Sequence, residues 1–343
     1  MLKILIINSL PKKNSLLDYV YEELKRKNFS ISFLSSKKPL LGQFKFLLLL
    51  INFKLKQKIN SVVCININEK IFITPWARLL GLKVFWFEGP ELNYQKFNKF
   101  LLMLYKLNYR LAKIVVFNSY SKLKLKNIGC NENKINLLTP GAKTMAYQEN
   151  IFNKLASTGR VNFHRKYFTI GAITSLNQKQ KIETVFQAIK ISLPVISNIQ
   201  LIIVGEGEER KNLSWLAKKM EIDNLIWLVG EQNQLKKWLD SFDIFLALGE
   251  NLSLNDYSNI LEAMAAGLPV LAPRNIGLED IIIENNTGSL IESDNSEMLA
   301  RQIIKLHQDK RLRLFLGKNG QERVNRLFTL ETMVEKLAQI LKN

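Results

Sequence analysis

Histidine and cysteine are scarce in this chain, with two of each among 343 residues. His164 and His307 stand far apart without ligand spacing, which argues against a histidine zinc site and a Ser-His-Asp triad. Cys64 and Cys130 form no CxxC pair. They read as free thiols of a cytosolic protein rather than a disulfide framework or a redox motif. No apolar run reaches the about 18 residues that a spanning helix needs. The opening MLKILIINSLPKK has no basic segment ahead of its apolar part, and that part is strand-length. The reading therefore predicts no signal peptide and a cytoplasmic location.

Acidic residues are scarce in one half only. Residues 1–150 hold 25 Lys+Arg against 8 Asp+Glu, a net of +17. Residues 151–343 hold 24 against 22, leaving +2 of the formal +19. A basic first half predicts an anionic partner: a membrane surface, an anionic lipid or nucleic acid. No RNP-like aromatic motif, zinc finger or helix-turn-helix signature accompanies the charge, so nucleic acid is not expected.

What is present is an alternation of short apolar runs with helical periods. KILIIN, SISFLSS, SVVCINI, KVFWFEG and KIVVFNS read as strands. Helical segments over residues 43–58, 69–80 and 96–112 separate several of them. The pattern then repeats: TIGAIT, LIIVGEG, LIWLVG, IFLALG, LPVLAP and GSLIE alternate with amphipathic stretches. Alternating strands and helices imply parallel sheets covered on both faces. The fold class is therefore α/β, with two tandem Rossmann-like domains facing across a cleft. The polar, weakly periodic stretch between about 141 and 167 marks the junction. The expected domains are 1–155 (basic), 156–325, and a closing helix at 326–343 that returns to the first domain.

Two motifs carry candidate chemistry. LIIVGEGEERKNL ends a strand in Gly205-Glu206-Gly207 and enters a helix. Two glycines allow close backbone approach, and a helix N-terminus favours anions. Arg210 stands where GxGxxG needs its last glycine, so a dinucleotide reading is poor. NDYSNILEAMAAGLPVLAP reads as a helix capped by Ser258, starting near Asn259 and ending at Gly267. Its first amides would meet a diphosphate. Glu262, about one turn in, would accept both hydroxyls of a ribose.

These motifs carry a resemblance. LIIVGEGEERKNL, LIWLVGEQNQLKKWLDSFDIFLALGE and SNILEAMAAGLPVLAP resemble the C-terminal domain of family 4 (group 1) retaining glycosyltransferases, which have the GT-B fold. NEKIFITPWARLLGLKVFWFEGPE and RLAKIVVFNSYSKLKLKNIGCNENKINLLTPGA resemble the N-terminal half. The resemblance implies a UDP- or GDP-sugar donor, transfer with retention, and no metal or other cofactor. It implies donor binding by Gly205, Glu206, Gly207, Ser258, Asn259 and Glu262. It further implies a lipid-linked or polysaccharide acceptor at the basic first domain, on the inner face of the cell membrane.

The chain departs from the family pattern at several positions. The second acid of the family's E-x7-E motif falls on Glu262, but the first falls on Leu254 or Asn255; Glu250 or Asp256 are the available substitutes. The Arg–Lys pair beside the diphosphate falls on Ser175 and Gln180, leaving Lys179 and Lys181 as candidate cations. The histidine after the fourth strand is replaced within Phe87-Glu88-Gly89, making Glu88 a candidate catalytic or acceptor group facing the cleft. These departures keep a second reading open: a catalytically impaired relative that serves an active glycosyltransferase as scaffold or regulator. Two stretches, 42–58 and 98–113, mix large apolar residues with lysines and read as either buried helices or membrane-surface helices with basic anchors.

Overall fold

In a computed structural model of the chain, the described residues are 2–8, 16–35, 43–90, 97–144, 167–176, 182–232, 234–249, 252–274, 277–292 and 294–342. They divide into two units: Met1–Pro140 with Glu331–Asn343, and Gly141–Leu330.

The first unit is a parallel sheet of β1 (Leu2–Asn8), β2 (Phe29–Ser35), β3 (Ser61–Cys64), β4 (Lys83–Glu88), β5 (Lys113–Val116) and β6 (Ile135–Leu137). Its order is β2-β1-β3-β4-β5-β6. All of β3 is buried, and so is β4 after Lys83. This is the unbroken apolar run expected of a strand covered on both faces. Helices α1 (Leu16–Arg26), α2 (Gln43–Asn52), α3 (Ile67–Leu79), α4 (Lys99–Asn108) and α5 (Ser119–Asn127) connect the strands. A π-helical turn, Phe53–Gln57, extends α2. Leu50, Ile73, Ala77, Tyr105 and Tyr109 from α2, α3, α4 and the turn after it meet Val62, Val84 and Ile114 of the sheet in one core.

The second unit repeats the plan. Its strands are β7 (Phe168–Ile173), β8 (Ile199–Val204), β9 (Ile226–Gly230), β10 (Ile244–Leu246), β11 (Val270–Pro273) and β12 (Gly288–Ile291). The order is β12-β11-β10-β7-β8-β9, all parallel. Helices α6 (Ile182–Ser192), α7 (Arg210–Lys219), α8 (Leu235–Ser241), α9 (Leu254–Ala265), α10 (Ser296–Gln308) and α11 (Lys310–Leu327) cover it. Alternate residues of β7, β8 and β10 feed two separate cores. Ile170, Leu201 and Ile244 pack with α6, α7 and α10. Ile173, Ile202 and Phe245 pack with α9. The sheet is thus covered on both faces, as its period-two pattern requires.

The last helix, α12 (Leu330–Lys342), belongs to the first unit. There Lys27 pairs with Glu335 at 3.3 Å, and the Lys83 ammonium donates to the carbonyl of Lys342 at 2.9 Å.

Candidate functional site

The second sheet changes direction between β7 and β10. β7 is followed by β8 and β9 on one side, while β10 is followed by β11 and β12 on the other. The helices that succeed these two neighbours, α6 and α9, lie against opposite faces. A crevice opens beyond the carboxyl ends of strands at such a switch point, and open α/β sheets bind ligands there.

Helix α9 borders that crevice. Its N-cap is Ser253, not Ser258. The Asp256 amide donates to Ser253 Oγ at 3.3 Å, while the Asp256 carboxylate accepts from the Ser253 amide at 2.8 Å and from its hydroxyl at 2.7 Å. This reciprocal capping box starts the helix five residues before the position the sequence reading chose. The cue was present as Ser253-x-x-Asp256. Ser258 consequently sits inside the helix and is buried. The amides beyond the first turn are spent on helix bonds, beginning with Tyr257 donating to the Ser253 carbonyl at 3.2 Å.

The extra turn changes what the helix offers. Asn255, Asn259 and Glu262 stand at i, i+4 and i+7, so they form one polar stripe. The Asn259 side-chain amide donates to the carbonyl of Ile173 at 3.1 Å, fixing the stripe to the carboxyl end of β7. Thr174, the next residue, donates its hydroxyl to Asp256 at 3.0 Å. Glu262 lies one turn beyond Asn259 on the same stripe and is partly exposed. Asp256, one of the two substitutes considered for the family's first acid, is committed to capping α9 and to Thr174.

The glycine turn after β8 completes the near side. Gly205 has φ +150°, and a Cβ there would lie 1.8 Å from the Thr174 carbonyl oxygen. The glycine is therefore required by backbone-to-backbone packing of β8 on β7, before any ligand is considered. The Gly205 amide donates to the Gly230 carbonyl at 2.9 Å. Glu206 is exposed and pairs with Arg210, whose guanidinium also donates to the Leu228 carbonyl at 2.8 Å. Gly207 accepts from the Arg210 amide at 3.2 Å. The ends of β7, β8 and β9 are thus knitted together around residues 174, 205–207 and 230. Gly205, Glu206, Gly207, Asn259 and Glu262 all stand at the rim of one sheet. Ser175 is exposed there. Lys179, Gln180, Lys181 and Glu250 lie outside the described residues.

A recess of about 70 Å³ adjoins the carboxyl ends of β10, β11 and β12, lined by Ile182, Ala247, Gly249, Pro273 and Asn295 among others.

Glu88 is placed differently from expectation. It ends β4 with no exposed surface, so it faces the interior of the first unit. Its carboxylate pairs with the equally buried Lys70 of α3 at 3.0 Å and accepts from the Tyr105 hydroxyl of α4 at 2.8 Å. Lys70 also donates to the Phe87 carbonyl at 2.7 Å. The reason is topological: α3 and α4 bring a cation and a phenol over the strand end, and neither partner is near Glu88 in sequence. Among the described residues, no group of His, Cys, Asp and Glu could hold a metal ion, and no helix is long and apolar enough to cross a membrane.

Two tandem parallel sheets with a polar strand-end rim on the second define the class, a two-domain α/β protein of GT-B fold. Comparison with known proteins agrees. The family described as glycosyl transferases group 1 matches residues 156–323. N-acetyl-alpha-D-glucosaminyl L-malate synthase of Bacillus anthracis is 30% identical over 169 residues, 49% of this chain and 43% of that protein. The capsular polysaccharide biosynthesis glycosyltransferase CapM of Staphylococcus aureus is 24% identical over 299 residues, 78% of this chain and 76% of that protein. The alignment thus spans less than half of the first relative. Among solved structures, Anabaena Alr3699/HepE in complex with UDP superposes with a TM-score of 0.81 over 100% of both chains at 15% identity. Sucrose-phosphate synthase of Thermosynechococcus elongatus does so with 0.80 over 100% of this chain and 98% of that one at 16% identity. The likeness to the glycosyl transferases group 1 family lies in residues 156–323, within the second unit.

Proposed function

We propose that this protein transfers a sugar from a UDP-sugar to a hydroxyl of a glycan acceptor. The observation that carries the reading is the α9 stripe at the switch point, with Asn259 bonded to the end of β7 and Glu262 one turn beyond. A carboxylate there accepts the two hydroxyls of a ribose, leaving the diphosphate to run along the rim between residues 174 and 205. The likeness to a UDP-bound fold neighbour supports a uridine donor. CapM and the Rhizobium meliloti lipopolysaccharide core glycosyltransferase LpsE support a polysaccharide or lipid-linked acceptor. In this reading the acceptor meets the first unit. Retention of configuration follows the family resemblance, and Lys179 and Lys181 are the proposed partners of the departing diphosphate.

One observation favours the second reading, a relative that has lost turnover. The N-terminus of α9 is already capped by the protein's own carboxylate, Asp256. A negative group at that end repels an incoming diphosphate.

The discriminating experiment measures release of the nucleoside diphosphate from UDP-glucose, UDP-galactose and UDP-N-acetylglucosamine, with GDP-mannose beside them, with and without oligosaccharide acceptors. Transfer predicts release with at least one donor. Glu262→Ala should lower it roughly 10- to 100-fold, the worth of a charge-assisted hydrogen bond. Absence of release with every donor, alongside intact folding, would leave the scaffold reading standing.

A further inference from the structure

We propose that β2 is the pairing edge for a second copy of the chain, joining two six-stranded sheets antiparallel about a two-fold axis at Ile31. The inference rests on the first unit alone and stands apart from the transferase reading.

The two sheets leave four edge strands, β2 and β6 in the first and β9 and β12 in the second. An open edge offers unpaired amides and carbonyls to any other strand, and folds blunt it with short strands or charged side chains. Three of the four are blunted. β6 is only three residues long. On β9 the Arg210 guanidinium takes the Leu228 carbonyl at 2.8 Å. On β12 the Leu290 amide donates to the Glu284 carboxylate at 3.0 Å, and the Leu290 carbonyl accepts from Arg274 at 3.3 Å.

β2 has none of these devices. It runs seven residues, FSISFLS, in unbroken parallel register with β1. It holds no charge, no proline and no glycine. Among the described residues, nothing takes up the amides and carbonyls of its outer edge. Phe33 is 53% exposed, with its ring edge-on to Tyr21 of α1 at 5.6 Å. An uncharged, β-prone strand of this length is a template for pairing.

The strand itself names the occupant. Phe29-Ser30-Ile31-Ser32-Phe33 reads the same in both directions. Antiparallel pairing about Ile31 sets Phe29 opposite Phe33 of the second copy, Ser30 opposite Ser32, and Ile31 opposite itself. Directly opposed residues share a face of the sheet, so apolar side chains meet on one face and hydroxyls on the other. A contact of this kind is isologous and closes at two copies.

Charge agrees. Of α1 to α5, only α1 carries more acid than base: Asp18, Glu22 and Glu23 against Lys25 and Arg26. It is also the helix packed on β2. Lys27, between α1 and β2, is paired with Glu335 of α12. The two-fold that makes β2 antiparallel to its copy makes α1 antiparallel to its copy on the same side of the sheet. The acids of its earlier turns then lie toward the bases of the copy's last turn. Elsewhere the excess of cations on this unit repels a second copy, and the β2 edge is where that repulsion is relieved.

The test is sedimentation velocity of the full chain across a concentration series. A dimer that grows with concentration is expected. Ser30→Glu/Ser32→Glu sets acid opposite acid twice across the axis and should weaken association by about tenfold. Ser30→Glu/Ser32→Lys sets acid opposite base in the same register and should hold it near wild type. Both double variants lose the bond from Ser32 to Gln57 alike, so their difference reports the pairing and not that bond. Thermal melts check that each is folded. Hydrogen exchange of the wild type needs no variant: the amides of residues 29–35 should slow as concentration rises. A chain that stays monomeric throughout would overturn the proposal. So would a dimer indifferent to both variants, a dimer weakened equally by both, or exchange in β2 that ignores concentration.

Discussion

Glu88 shows how one residue can change category between sequence and structure. At a strand's carboxyl end it reads as a site acid. In the fold it is half of a buried ion pair with Lys70, with Tyr105 as a second partner. Breaking such a pair strands a charge in the interior and costs about 3–5 kcal/mol. Lys70→Met is therefore expected to lower stability by that order in urea unfolding, and Glu88→Gln by somewhat less, because Gln still accepts from Tyr105. Lys70→Met combined with Glu88→Leu should recover much of the loss. Stability differences under about 1 kcal/mol for the single variants would contradict the pairing.

Glu69, one residue before Lys70, supplies a pH dependence. Burial pushes its pKa up from the usual carboxylate range, and its hydrogen bonds with Asn66 and Ile65 and the charge of Lys70 offset this only in part. A raised acid pKa means the contribution to stability is present below the unfolded value and is lost as pH rises through the folded one. Gln can serve the same capping box without ionising. The melting temperature of Glu69→Gln relative to wild type should therefore rise as pH increases from about 4 upward. A gap that does not move with pH would contradict the shift. Glu132 is the opposite case: hydrogen bonds from Lys122 and Lys126 hold its pKa down to about 2. Its carboxylate should stay ionised in an NMR titration to well below the ordinary glutamate value, and the favourable pairing fades only as pH falls toward that point.

At the scale of elements, α9 borders the proposed donor rim. Its capping box predicts that Ser253→Ala and Asp256→Ala each cost about 1 kcal/mol. Because the two side chains serve each other, the double variant should lose less than the sum. Gly205→Ala should cost about 1–3 kcal/mol through the clash with the Thr174 carbonyl, and it should also perturb ligand binding, since the whole rim moves with it. Additive losses in the capping pair, or an indifferent Gly205→Ala, would show that the rim is assembled otherwise.

The strands and most helices were legible because their apolar runs and periods are long and local. The residues from Leu201 onward also carried the family resemblance. The start of α9 differs from the expectation at Ser258 because a second serine stands one turn and a residue earlier. Ser253 wins because Asp256 stands three residues on. The Glu88 partners were not legible at all. Lys70 and Tyr105 come from separate helices, and nothing in local sequence couples them. The close approach of Gly205 to Thr174 was equally hidden, since a glycine turn reads the same whether backbone or ligand demands it.

At the scale of the whole molecule, the uneven charge and the two units divide the work. The basic unit carries most of the excess charge, with +17 of the net +19 in residues 1–150. The near-neutral unit presents the strand-end rim. Both cysteines are free and buried. The Cys130 thiol is pushed up to about 12 by burial and the nearby Glu88 charge, and Cys64 is raised as well by burial. Both should react slowly with thiol reagents in the native state.

The central claim is that the second unit holds a nucleotide through Glu262. Isothermal titration of UDP into wild type, Glu262→Ala and Phe100→Glu/Leu107→Glu tests it most directly. The account predicts one saturable site in wild type, weakened roughly 10- to 100-fold by Glu262→Ala and unchanged by the surface pair on the first unit. No binding to wild type, or binding indifferent to Glu262, would contradict it.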